Sequence, residues 1–240
     1  MWSGPRNIST AMMRSWGSRA DTYVRDEPFY AYYLTQTPHR DQHPGADEIV
    51  HVHETDWRSV VASLTEDLPD GCTVDYQKHM THHLIGELAA HTGWIQHLRN
   101  AFLIRDPREM IVSLAKVLPD PQLDQTGLPQ QQALFEQVRR DTGRTPPVID
   151  AADVLKNPRR MLTLLCEALE VTFDDAMLSW APGRRSTDGV WAKHWYAAVE
   201  RSTGFEPYQP KSVDVPPSLQ PLVHEADALY QSLYRHRLGQ

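Results

Sequence analysis

The chain is poor in cysteine, has fewer cations than acids and contains no long apolar segment. Two cysteines, Cys72 and Cys166, among 240 residues do not provide a disulfide framework and suit a reducing, cytoplasmic compartment. No apolar run has the length of a membrane span and no signal peptide is recognisable, so we expect no membrane association. The formal charge of −7 argues against a nucleic-acid partner, because a surface that follows phosphates is basic.

Short apolar runs alternate with amphipathic segments, which predicts a single α/β domain over residues 1–240. The expected fold has three layers, with a central parallel sheet of about five strands flanked by helices. Two polar, proline-containing stretches are interpreted as mobile loops over a site. The expected elements are a very short strand at residues 1–2, strands over 22–26, 73–78, 102–104 and 148–150, helices over 56–68, 129–142, 157–169 and 218–236, and loops over 34–48 and 203–217.

Residues 3–10 read Ser-Gly-Pro-Arg-Asn-Ile-Ser-Thr and run directly into a helix-like segment. Backbone N–H groups and the positive end of a helix dipole favour an anion at such a position. Arg6 adds a charged donor, and Ser9 and Thr10 add hydroxyl donors. An ordinary capped helix explains the loop alone equally well. The loop is not a Walker loop, because Ser9 and Thr10 stand where, counting from Gly4, that motif has Gly-Lys.

A second pattern typical of an anion site lies about a hundred residues later. A buried strand over residues 100–104 ends in Arg105, and a helix begins near Pro107. Arg105 is therefore expected at the carboxyl end of a strand, where open α/β sheets bind their ligands. Ser113 follows two helical turns further on. A simple salt bridge between Arg105 and Asp106 is the structural alternative.

Together the two patterns resemble the sulfotransferases, which have a Pro-Arg/Lys-x-x-Ser/Thr-Thr loop and a later strand ending in Arg, with a serine eight residues on. The resemblance implies a P-loop-like nucleotide-hydrolase fold and 3′-phosphoadenosine 5′-phosphosulfate as donor, without a metal. It also implies that Arg105 and Ser113 hold the 3′-phosphate, at the opposite end of the nucleotide from the first loop. In that loop the 5′-phosphosulfate would be held by Gly4, Pro5, Arg6, Asn7, Ile8, Ser9 and Thr10.

Residues 184–195 are similar to the late element of the family that covers the nucleotide, and the matching residues there are Arg184, Arg185, Gly189 and Trp191. The first loop departs from the family in two ways. Arg6 stands where the cytosolic branch has lysine. Ile8 stands where glycine is usual, so we expect a backbone conformation that a β-branched residue tolerates.

The sequence offers two candidates for the catalytic base. Glu27 follows the second strand, as a catalytic glutamate does in several branches of the family, although it could instead cap the next helix. Lys78 and His79 follow the third strand and are similar to a Lys-x-His element in which the histidine is the base and the lysine contacts the sulfuryl group. We prefer Glu27 as base, with His79 as the alternative and Arg6 neutralising charge on the leaving phosphate.

The acceptor is expected to contact Glu27, Phe29, Tyr30, His79 and His82. The aromatic residues from 29 to 33 form either ordinary core or the wall of an acceptor pocket. A zinc site at His79, His82 and His83 is the less favoured alternative for the histidines, because no cysteine or acidic partner has ligand spacing.

The sequence thus predicts a sulfotransferase that acts on a hydroxyl or amine of a small-molecule acceptor. A P-loop-type small-molecule kinase and a non-catalytic nucleotide-binding homologue are the alternatives. The oligomeric state is left open, with a homodimer among the options.

Overall fold

A five-stranded parallel sheet forms the middle layer of the computed structural model, which describes residues 1–210 and 213–240. The strand order is β2-β3-β1-β4-β5, so the short first strand lies in the centre. The strands are β1 Trp2–Ser3, β2 Thr22–Asp26, β3 Val74–Met80, β4 Phe102–Ile104 and β5 Val148–Asp150. The prediction of a parallel sheet of about five strands is confirmed.

The register places the ends of the three central strands side by side. Ser3 pairs with Met80 of β3 and with Leu103 of β4, and all pairs in the sheet are parallel. The chain leaves β1 toward β2 and β3 on one side, and later builds β4 and β5 on the other. Because the winding direction reverses next to β1, the crevice beyond the carboxyl end of β1 is the expected ligand position in this type of sheet.

Helices cover both faces of the sheet because alternate strand residues point to opposite sides. Leu103 belongs to one apolar cluster, together with α1 and α9, whereas Phe102 and Ile104 belong to a second cluster with α7 and α12. The helices are α1 Ser9–Trp16, α2 Tyr30–Gln36, α3 Ala46–Val52, α4 Trp57–Ser63, α5 Gly86–Ala90, α6 Pro107–Leu114, α7 Leu128–Thr142, α8 Ala151–Lys156, α9 Pro158–Ala168, α10 Ala192–Trp195, α11 Ala197–Arg201 and α12 Gln220–Tyr234.

Two predicted segments differ from the structure, and a third is only partly described. The helix expected over 56–68 ends at Ser63. The loop expected over 34–48 contains the end of α2 and the start of α3. These helices form in a polar stretch of sequence because Leu34 and Ile49 are buried in the core. The loop expected over 203–217 has no helix or strand over 205–210 and 213–216, and its residues 211 and 212 lie outside the described part of the chain.

The observed end of β3 also corrects the predicted position of two site residues. Lys78 and His79 lie inside β3, which continues to Met80, and do not follow it. Within residues 1–210 and 213–240, no helix is both long enough and apolar enough to cross a membrane.

Candidate active site

A cavity of about 410 Å³ opens at the carboxyl ends of the central strands. It is lined by the loop after β1, the ends of β2 and β3, Arg105 after β4, the end of α6 and the segment around α10 and α11. Residues of both predicted anion-binding segments contribute to the same wall. The polar and charged residues of this wall that bear on the chemistry are Arg6, Asn7, Ser9, Thr10, Glu27, Tyr30, Tyr33, His43, Lys78, His82, His83, Arg105, Ser113 and Tyr196.

The loop between β1 and α1 has an unusual backbone. Arg6 and Ile8 have φ angles of 61° and 58°, in the left-handed region that L-residues rarely adopt. The expectation for Ile8 is therefore wrong, because a β-branched residue occupies a conformation that suits glycine. Ile8 is also the N-cap residue of α1, so no serine or threonine caps this helix. At Gly4, an added Cβ would lie 2.4 Å from the carbonyl oxygen of Thr126, so only glycine fits.

Two cations meet in the cavity wall. Arg6 donates from Nε to Ser113 Oγ at 3.1 Å, and Arg105 donates to the carbonyl oxygen of Arg6 at 2.7 Å. The other donors of Arg105 contact Glu109 at 3.0 and 2.7 Å, so its acidic partner is Glu109 and not Asp106, which caps α6. Burial, and then the neighbouring Arg105, lower the pKa of Arg6. Two adjacent, partly desolvated guanidinium groups favour an anion between them.

Glu27 and Lys78 meet where β2 and β3 end. Lys78 donates to Glu27 Oε1 at 2.7 Å, to Asp26 Oδ1 at 3.0 Å and to the Tyr196 hydroxyl at 2.5 Å. The Glu27 side chain does not cap α2, whose N-cap residue is Phe29. Burial raises the pKa of Glu27, and the attraction of Lys78 only partly offsets this. Burial acts to lower the pKa of Lys78, but the two carboxylates outweigh it and raise the value.

His79 lies on the opposite face of β3 from Lys78, because neighbouring residues of a strand alternate in direction. Its ring stacks on Trp2 with the centroids 4.3 Å apart, and Nε2 lies 3.0 Å from Gln77 Oε1. Phe29 packs against the same ring, at 5.7 Å. Neither His79 nor Phe29 lines the cavity, in contrast to Glu27, Tyr30 and His82.

An aromatic wall lies beside Glu27. His83 stacks on both Tyr30 and Tyr33, with centroid distances of 4.9 and 4.8 Å, and the Tyr30 hydroxyl lies 2.8 Å from His43 Nδ1. Burial lowers the pKa of His43 to about 4 and that of His82 to about 3, so both rings are neutral at pH 7. No group of three or more histidine, cysteine or acidic residues in the described ranges is arranged to hold a metal ion.

The segment over residues 184–196 reaches the site through its backbone and aromatic rings. Gly189 donates its N–H to Asp26 at 3.1 Å, and Trp191 donates from Nε1 to the Tyr196 hydroxyl at 3.1 Å. Arg184 and Arg185 do not line the cavity, and Arg185 donates to the carbonyl oxygen of Ala181.

Several cavity residues were not predicted. Tyr196 and His43 belong to no motif, and Tyr196 contacts Asp26, which lies 170 positions away in the chain. The Asp26-Glu27 pair at a strand end was the one available sign that two carboxylates meet here.

Residues 1–233 match the family model described as a sulfotransferase domain. The chain is 32% and 30% identical, over 235 residues, to the Branched-chain-amino-acid aminotransferase-like proteins 1 and 2 of Arabidopsis thaliana. These alignments cover 98% of this chain and 41% of each relative, so the chain spans about two fifths of the length of these curated relatives.

A solved structure, the Sulfotransferase Domain from the Curacin Biosynthetic Pathway, aligns with a TM-score of 0.51 at 14% identity, covering 94% of this chain and 95% of that one. This likeness concerns the fold, and it agrees with the three-layer arrangement described above. The family match extends over nearly the whole sequence. The chain therefore belongs to the sulfotransferase-domain family.

Proposed function

We propose that this enzyme transfers a sulfuryl group from 3′-phosphoadenosine 5′-phosphosulfate to a hydroxyl or amine of a small-molecule acceptor. The observation that carries the proposal is that Arg6, Arg105 and Ser113 line the same cavity as Glu27. Anion-binding groups thus occupy one part of the cavity, and a carboxylate able to accept a proton occupies another. This is the division that transfer from an anionic donor to a protonated acceptor requires.

The donor phosphates are assigned to the cationic wall. The 5′-phosphosulfate would lie against Arg6 and the N-terminus of α1, where the helix dipole and first-turn N–H groups favour negative charge. The 3′-phosphate would lie against Arg105 and Ser113. Arg105 is paired with Glu109 at 2.7 Å, so a phosphate there competes with a carboxylate for the same donors.

In the proposed reaction, the acceptor oxygen or nitrogen forms a bond to sulfur while the bond from sulfur to the 5′-phosphate oxygen breaks. Negative charge grows on that phosphate oxygen, and Arg6 stabilises it. The acceptor proton passes to Glu27, which is preferred over His79 because Glu27 lines the cavity and His79 lies on the other face of β3. The neutral wall of Tyr30 and its neighbouring aromatic rings would hold the acceptor.

The first test is ligand-dependent thermal stability. Adenosine 3′,5′-bisphosphate should raise the melting temperature, since a ligand at a hundred times its Kd stabilises by about 2.7 kcal/mol. Adenosine 5′-monophosphate, which lacks the 3′-phosphate, should stabilise much less. Equal stabilisation by both nucleotides, or stronger stabilisation by magnesium-ATP, contradicts the donor assignment and favours a kinase.

The second test is turnover with labelled donor and a broad panel of phenols, alcohols and amines. Transfer of label to an acceptor supports the proposal. Tight binding of the bisphosphate without transfer to any acceptor would instead indicate a nucleotide-binding protein without catalytic activity.

A further inference from the structure

The two carboxylates at the end of β2 have very different surroundings. Asp26 accepts hydrogen bonds from Lys78, from the Gly189 N–H at 3.1 Å and from the Tyr196 hydroxyl, which lies 2.8 Å from both carboxylate oxygens. Glu27 accepts from Lys78 through Oε1. The Asp26 side chain is 1% exposed, whereas that of Glu27 is 12% exposed and lines the cavity. Asp26 is thus enclosed by donors, and Glu27 faces the space for substrate.

Lys78 has no donor to spare in this arrangement. Its three N–H groups are directed at Asp26, Glu27 and Tyr196, and its side chain is 1% exposed. One ammonium group therefore faces two carboxylates. When both carboxylates are ionised, the three groups together carry one excess negative charge. Because a buried excess charge is costly, one carboxyl is favoured to hold a proton.

We propose that Asp26 is the fixed anion that balances Lys78, that Tyr196 is the positioning residue holding this pair, and that Glu27 is consequently the carboxyl that exchanges a proton. The inference rests on the proposed function, in which Glu27 is the general base. Asp26 and Tyr196 do not touch the reacting atoms and act through Glu27 and Lys78.

The groups around Glu27 agree with this division. Glu27 faces Asp26 on β2 and Lys78 on β3. It also faces the neutral hydroxyl of Tyr30 on α2, and Tyr196 at the junction of α10 and α11. Desolvation is the main cause that raises the pKa of Glu27, and the charge of Asp26 raises it further. Asp26 is therefore both the counter-ion of Lys78 and a reason why Glu27 binds a proton more readily than an ordinary glutamate.

The late segment of the chain supplies the donors that hold Asp26. Tyr196 accepts from Trp191 Nε1 and donates to Asp26, while the Gly189 N–H contacts the second carboxylate oxygen. A Cβ on Gly189 would lie 2.2 Å from the Trp191 ring, so this approach requires glycine. The resemblance implies that Gly189 and Trp191 contact the nucleotide, and in this structure they donate hydrogen bonds to Asp26 and Tyr196.

The kinetic test compares the pH dependence of kcat in three variants. Asp26→Asn should move the acid limb to lower pH by about one unit or more, because a like charge no longer opposes ionisation of Glu27. Tyr196→Phe should lower kcat about tenfold with the donor KM unchanged, because Lys78 and Asp26 lose their shared hydroxyl. The matched control is Tyr230→Phe, which removes a buried hydroxyl that donates to Asp150 at 2.9 Å, outside the cavity.

A second measurement does not depend on turnover. Infrared difference spectra recorded between about pH 5 and pH 8 should show a protonated carboxyl group in the wild-type protein. Ordinary carboxyl groups titrate below this pH range. That band should be absent in Glu27→Gln and should persist, titrating at lower pH, in Asp26→Asn. A band lost in Asp26→Asn and kept in Glu27→Gln, or an acid limb that does not move in Asp26→Asn, overturns the proposal. The spectra decide the matter even if no sulfuryl transfer is found, and should Asp26→Asn not fold, Glu27→Gln and Tyr196→Phe still decide it.

Discussion

The guanidinium Nε of Arg6 lies 3.1 Å from Ser113 Oγ, although 107 positions separate the two residues in the chain. The resemblance assigned them to opposite ends of the donor nucleotide. In the structure, the loop after β1 and the end of α6 instead form one continuous surface with Arg105. The proposed site is accordingly a single cationic wall, in which Arg105 helps to lower the pKa of Arg6.

Arg6→Ala should lower kcat by about a hundredfold to a thousandfold, since the guanidinium opposes charge that appears mainly in the transition state. Steady-state kinetics with a working acceptor measure the loss, and the melting temperature checks that the fold is retained. The control is Arg108→Ala, which removes an exposed arginine that pairs with Asp106. Undiminished turnover in Arg6→Ala contradicts the assignment.

Arg105→Ala should weaken the binding of adenosine 3′,5′-bisphosphate by about tenfold or more, because hydrogen bonds to charged groups contribute about 1.5–3 kcal/mol. Its affinity for adenosine 5′-monophosphate should hardly change. Calorimetric titration with both nucleotides gives the comparison. If both affinities fall together, Arg105 does not recognise the 3′-phosphate.

The rate should depend on a carboxyl group that titrates above the usual glutamate range. Burial raises the pKa of Glu27, so protonation, and with it loss of the base, sets in at a higher pH than for an exposed glutamate as the solution is acidified. Glu27→Gln should remove this acid limb and lower kcat by about 10²–10⁴-fold.

His79→Gln distinguishes the two candidate bases. His79 packs on Trp2 behind the sheet, so its replacement should affect stability more than the shape of the pH profile. Loss of the acid limb in His79→Gln, with the limb retained in Glu27→Gln, would show that His79 is the base.

Asp188→Asn should reduce the free energy of unfolding by about 3–5 kcal/mol, the usual effect of breaking a buried ion pair by removing one partner. Asp188 pairs with Arg14 at 2.5 and 2.7 Å, with side chains that are 0% and 2% exposed. Urea denaturation measures the change. Asp175→Asn is the control, because its pair with Arg159 is exposed and should contribute less than about 1 kcal/mol. A similar loss in both variants would mean that burial of the first pair adds nothing.

Local patterns predicted the elements that depend on short-range physics. Strands β2, β4 and β5 agree with their predicted bounds, because each is a short apolar or β-branched run flanked by turn signals. That Arg105 and Ser113 share a site was implied by the family resemblance and not by local patterns, and both residues line the cavity. The loop over 34–48 was wrong because packing of Leu34 and Ile49 outweighs local polarity.

Contacts between distant segments were beyond such patterns. Nothing in residues 190–200 indicates that Tyr196 donates to Asp26, which lies 170 positions earlier. The alternation of side chains along β3 could have decided between the two candidate bases, since Lys78 and His79 cannot both face one cavity from a single strand. The end of that strand was placed too early, at residue 78, and this hid the conflict.

The left-handed backbone at Arg6, Ile8 and Glu27, with φ angles of 61°, 58° and 43°, has a consequence for binding. Such conformations cost on the order of 1–3 kcal/mol per residue, and they persist only where the surrounding structure enforces them. The free-energy cost of these backbone conformations in the cavity wall is therefore incurred when the protein folds, before any ligand binds. A ligand that enters finds its contacts arranged beforehand, and less of its binding energy is lost to ordering the protein.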